Sequence, residues 1–187
     1  VLSKKYAKDY RLENEVGPSG RMVTRVVYCG AYYGFSADRD TLRRARTVIL
    51  LSCLGYWVFF WLGLFLNAAA MRQLYVALPY FFGFLPAVYL TSSLWYLFQY
   101  TNRPPEHGLT REQRDKTYER LSTSSFLTLL LSGMAAVGMI FYFLFLYKNQ
   151  GTSWDFVVTL SLIAMIVASF LVFSTKKSLT IQRLVSK

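Results

Sequence analysis

Four stretches of the chain carry no charged side chain: Thr47 to Asn67, Gln73 to Asn102, Leu121 to Tyr147 and Phe156 to Thr175. A helix needs about 20 predominantly apolar residues to cross ~30 Å of hydrocarbon. The pattern predicts spans over 47–67, 73–100, 125–147 and 154–174. The turns 67–72 and 148–153 are short, so each joins antiparallel neighbours.

The second span differs from the others. A helix over 73–100 would run ~42 Å, longer than the hydrocarbon core, so it must tilt or bend. Pro79, Gly83 and Pro86 lie inside it. Proline removes a backbone hydrogen bond and clashes one turn back, which predicts a bend there. Thr91, Ser92 and Ser93 follow the bend. They are candidates to line a hinge or cleft, or to satisfy backbone groups that the bend frees.

Before residue 47 the pattern has a period of two. Tyr10, Leu12, Asn14 and Val16 alternate with Arg11, Glu13 and Glu15, and RMVTRVVYC follows after Gly17-Pro18-Ser19-Gly20. This predicts a hairpin with a type I turn and a glycine bulge at Gly20. Its register pairs Gly17 with Arg21, Leu12 with Val26 and Tyr10 with Tyr28. The apolar face should dock, because a lone hairpin is marginal in water. Residues 30–35 suggest a third strand or an aromatic interfacial foot. Asp38 and Asp40 mark a helix start.

The loop 101–123 begins with Arg103-Pro104-Pro105-Glu106-His107-Gly108 and then reads Thr110-Arg111-Glu112-Gln113, a capping box. A helix should restart near Arg111 and continue into the third span, with Glu112 and Lys116 paired at i,i+4. Ser132, Gly133 and Ala136 in span three, and Ser161, Ala164 and Ala168 in span four, are small residues at helical spacing. They are candidate helix-packing positions. The basic tail, 175–187, has an Ile181/Leu184/Val185 face that suggests a segment lying along the membrane surface. Two units result: a hairpin or meander over 1–36 and a four-span domain over 37–187. The fold class is an all-α integral membrane bundle of four transmembrane helices with a small cytoplasmic N-terminal β-hairpin module.

Composition agrees: 54% of the residues are hydrophobic and 17% charged. The net charge of +11 does not point to nucleic acid, because the cations flank the apolar runs. Residues 1–46 hold ten Lys and Arg, the 101–123 loop five and the tail four, whereas Arg72 and Lys148 stand alone at the other ends. The positive-inside rule therefore places both termini in the cytoplasm, most simply beneath a bacterial plasma membrane. The cations would face anionic lipid. No cleavable signal is expected, because the start is polar and the first span lies near residue 47.

Candidate chemistry is sparse. Apart from Asp155 at an end, the spans hold no ionisable carboxylate, amine or imidazole, which weighs against proton or ion coupling. Asp155 sits at a span boundary and reads as a cap. Cys29 and Cys53, with a single histidine, make no zinc pattern, so no cofactor and no metal are expected. The expected function is that of a non-catalytic accessory, assembly or adaptor subunit, with a protein partner or a second copy of itself on the cytoplasmic side. The alternative is a small transporter or channel component using the kinked second span. A less favoured reading is an enzyme with a surface site around Glu106, His107, Tyr32 and Tyr33.

Overall fold

The computed structural model describes residues 5–16, 22–102 and 108–184. The turn at 17–21 and the Glu106-His107 pair lie outside the described residues. Strands β1 (Tyr10–Val16) and β2 (Met22–Tyr28) form the hairpin. Its register is the expected one, with Tyr10 opposite Tyr28, Leu12 opposite Val26 and Val16 opposite Met22.

Helix α1 (Arg39–Phe65) is capped by Asp38, whose carboxylate accepts the Asp40 N–H. It ends at Leu66, where the backbone becomes extended, and a 3-10 turn, Ala69–Arg72, leads into the second span. Ala68, Ala69 and Ala70 are buried. The turn is thus tucked into the bundle end, where small side chains let the backbone enter.

The second span is broken as the prolines predict. It consists of α2 (Leu74–Phe82) and α3 (Phe84–Asn102), with Gly83 between them. Helix α4 (Arg111–Phe145) is continuous from the polar loop through the third apolar run. Its start carries the capping box: Thr110 Oγ1 accepts the Gln113 N–H, and Gln113 Oε1 accepts the Thr110 N–H. A π turn at Asp115–Glu119 interrupts its α geometry. A one-turn helix, Tyr147–Gln150, precedes α5 (Trp154–Thr175).

Among the described residues, four helical stretches are long and apolar enough to cross a membrane: α1, α2 with α3, α4, and α5 with its short extension. Around the bundle, α1 packs on α5 and α3, and α4 packs on α5, α2 and α3. Two cores fill it. One, toward the short turns, holds Tyr56, Phe60, Tyr80, Met139, Tyr142 and Leu162. The other, toward the termini, holds Ile49, Cys53, Leu90, Leu97, Leu121 and Leu179. Large apolar side chains also cover the outside of all four spans, among them Leu54, Val58, Leu85, Leu130, Ile140, Ile163 and Phe170. Such a continuous apolar exterior is abnormal for a surface meeting water and suits one meeting lipid.

Three expectations need correction. The third strand, β3 (Tyr32–Phe35), forms, but it does not extend the hairpin into a meander. It pairs antiparallel with β4 (Ile181–Leu184) from the tail, Tyr32 opposite Leu184 and Phe35 opposite Ile181. Ile181–Leu184 is therefore a strand where an amphipathic surface segment is expected, and Val185 lies outside the described residues. The physical reason is that β3 presents unpaired backbone groups beside the end of α5, and pairing satisfies both segments. The apolar face of the hairpin also docks only at its base: Tyr10 and Tyr28 are half-buried, while Leu12 and Met22 are 70% and 80% exposed.

Candidate docking face and interior polar sites

The end of the bundle that carries both chain ends is knit together by backbone pairing. Tyr33 donates its N–H to the Leu109 carbonyl and accepts the Leu109 N–H, at 2.8 and 2.7 Å. The approach is possible because Gly108 has φ +88, a region L side chains avoid, and a Cβ there would lie 2.8 Å from the Tyr33 carbonyl oxygen. Ser36 N–H and its hydroxyl both donate to the Thr180 carbonyl. Residues near positions 33, 109 and 181 thus form one layer.

The hairpin joins this layer through Tyr28. Its hydroxyl donates to the Ala31 carbonyl and accepts the Arg111 N–H, an orphan donor of the first helical turn. The Tyr10, Tyr28 and Tyr32 rings meet edge to face at 5.1 and 5.0 Å, the arrangement their quadrupoles favour. Burial pushes the Tyr10 and Tyr28 hydroxyls above the ordinary phenol range.

The start of the chain is tied to the π turn. Lys5 Nζ and Tyr6 Oη both donate to Asp115 Oδ2, and Arg114 donates to Asp115 Oδ1. Hydrogen bonds to Asp115 and Tyr6 push the Lys5 ammonium up. These groups border a cleft of about 1000 Å³ that reaches Pro86 and Tyr89 on α3 and Leu127 on α4. Its charges are largely matched: Lys5 and Arg114 with Asp115, Arg114 with Glu119 and Lys116 with Glu112 at 2.7 Å. That pairing makes the cleft a clamp between segments more than an attractor of ions.

The candidate hinge is braced by the first span. Tyr56 Oη donates to the Gly83 carbonyl at 3.3 Å, and Tyr80 Oη donates to the Phe60 carbonyl at 2.6 Å. Pro79 and Pro86 are buried. Thr91 Oγ1 donates to the Ala87 carbonyl, accepts Trp57 Nε1–H at 2.9 Å and lies 3.5 Å from Cys53 Sγ. Ser92 and Ser93 both donate to the Tyr89 carbonyl. Thr91, Ser92 and Ser93 border neither the cleft beside Asp115 nor the one between the start of α1 and the end of α3.

Of the candidate packing residues, Ser132, Ser161 and Ala168 are buried, and Gly133, Ala136 and Ala164 are half-buried. A close backbone approach of α4 lies elsewhere: a Cβ on Gly138 would lie 2.6 Å from the Tyr75 carbonyl oxygen of α2.

Sequence reasoning missed the environment of Asp155. It is completely buried. Its Oδ1 accepts the Ala70 N–H at 2.9 Å, and its Oδ2 accepts from Tyr142 Oη, the Thr152 N–H and Thr152 Oγ1. It lies in the first turn of α5 without capping it, since it accepts from Thr152 just before the helix, and it ties the turn 68–72 to the end of α4. No signal in the local sequence shows this, because the Ala70 donor lies 85 residues away.

Tyr32 and Tyr33 are held in the strand layer, and Arg114 stacks over the Tyr33 ring at 4.6 Å. Among the described residues, no group of three His, Cys, Asp or Glu could hold a metal ion. No protein-family model, no curated protein and no solved structure matches this chain.

Proposed function

We propose that the protein is a non-catalytic integral membrane subunit, an accessory or adaptor whose docking surface is the terminus-bearing face. The observation that carries this reading is the composite cap. The hairpin, the 108–120 segment and the tail strand come from three distant parts of the chain, yet they are tied into one layer by backbone and tyrosine hydrogen bonds. A merely anchoring tail would not need that order. The hairpin projects from the cap with Leu12, Met22, Val23 and Val26 exposed, an apolar surface of the kind that marks contact with a partner. The positive-inside rule assigns this face to the cytoplasm.

The test is cross-linking mass spectrometry on the full chain in mild detergent, with Leu12→Lys/Val26→Lys as the variant. The expected result is a defined partner, or a second copy, cross-linked to residues 10–28 and lost in the variant while its circular dichroism is unchanged. A monomer that yields no hairpin cross-link in mild detergent would overturn the proposal. The transporter reading has less support, because the bend is braced by Tyr56 and Thr91 is saturated with partners.

A further inference from the structure

A second cleft on the same face, about 700 Å³, opens between the start of α1 and the end of α3. Arg39, Arg43 and Arg46 line it from one side, and Tyr100, Thr101 and Asn102 line it from the other. The arginines sit at i, i+4 and i+7, so one helix face presents all three guanidinium groups. Among the described residues, no carboxylate lines the cleft and none of the ion pairs involves these arginines. Of the two acids at the start of α1, Asp38 accepts the Asp40 N–H, and Asp40 is exposed outside the lining. The contrast with the ion-paired cleft beside Asp115 is direct: here positive charge is concentrated and no described carboxylate lines the cleft to match it.

Arg46 is held in place. Its guanidinium stacks on the Phe98 ring at 4.3 Å, Nη1 donates to Asn102 Oδ1, and Nε, shut off from solvent, has no hydrogen-bond partner. An oriented guanidinium with donors to spare is suited to phosphate oxygens. The apolar part of α1 begins directly after these arginines. Thr47, Leu54, Val58 and Trp61 continue the Arg43 side of the helix, and all are exposed. Tyr96 and Tyr100 stack beside the cleft, at the level where aromatic residues meet headgroups.

We infer that this cleft is a binding site for an anionic phospholipid, with the headgroup phosphate among Arg39, Arg43 and Arg46 and an acyl chain along Leu54, Val58 and Trp61. A free phosphate would use the arginines alone. The apolar stripe that leads away from them selects the lipid.

Native mass spectrometry of the full chain, released from micelles holding equal phosphatidylglycerol and phosphatidylcholine, tests this. The expected result is about a tenfold preference for phosphatidylglycerol. It should vanish in Arg39→Gln/Arg43→Gln/Arg46→Gln and persist in Lys8→Gln/Arg11→Gln/Lys177→Gln, which removes the same charge elsewhere. If the triple variant does not fold, Arg43→Gln alone, at an exposed position, should still weaken the preference. Water-soluble glycerol phosphate, added in excess, should not displace the lipid. No preference in the native chain, an equal loss in the control variant, or displacement by glycerol phosphate would each overturn the site. Partner cross-linking to the hairpin is read separately, so either proposal can fail without the other.

Discussion

Asp155 shows what a single side chain does in this fold. A buried acceptor set with four donors is stable only while every member stays paired, because each stranded buried donor costs about 1–3 kcal/mol. Asp155→Ala would strand the Ala70 N–H and the Tyr142 hydroxyl. The variant should lose about 3 kcal/mol or more of stability. Asp155→Asn keeps the shape and one acceptor, so it should lose less. Thermal unfolding in detergent, followed by near-ultraviolet circular dichroism, checks the order Asp155, then Asn, then Ala. Equal stability of all three would show that the turn 68–72 does not depend on this tie.

Between elements, the closeness of helices is decided by where backbone meets backbone. The α2–α4 contact is close at Gly138, against the Tyr75 carbonyl, while a Cβ on Gly133 meets nothing within 4 Å. Gly138→Ala should therefore force the two helices apart and destabilise by about 1–3 kcal/mol. Gly133→Ala should be neutral, or stabilise by up to about 1 kcal/mol through helix propensity. Chemical denaturation of the two variants in one detergent distinguishes them. The break at Gly83 belongs to this scale too. Prolines at 79 and 86 make the bend legible, and hydrogen bonds with the first span, from Tyr56 to Gly83 and from Tyr80 to Phe60, brace it.

For the whole molecule, the two faces of the bundle differ in kind. One end holds two short turns, one of which is buried. The other carries the hairpin, the 108–120 segment and the tail in one layer. Cys29 lies on that layer and is exposed, whereas Cys53 is buried in the bundle. In sealed cells a membrane-impermeant maleimide should leave the protein unlabelled. After the membrane is opened it should label Cys29 and not Cys53. Labelling of Cys29 in intact cells would reverse the proposed orientation.

The residue pattern alone determined the four apolar helices, the bend in the second, the capping box at Thr110 and the hairpin register from Tyr10 to Val16. Each of these rests on local chemistry: the run length needed to bridge hydrocarbon, proline's missing N–H, an i,i+3 reciprocal bond, and side-chain alternation on two adjacent strands. Tertiary structure decided the rest. Tyr32–Phe35 and Ile181–Leu184 pair across most of the chain, and four-residue strands carry no mark of their partner. Asp155 reads as interfacial beside an apolar run, and only the entry of Ala68–Ala70 into the bundle end seals it. Arg39, Arg43 and Arg46 look like ordinary flanking charge. The cleft they share with Tyr100 and Asn102 exists because α3 ends beside the start of α1, a proximity that packing sets.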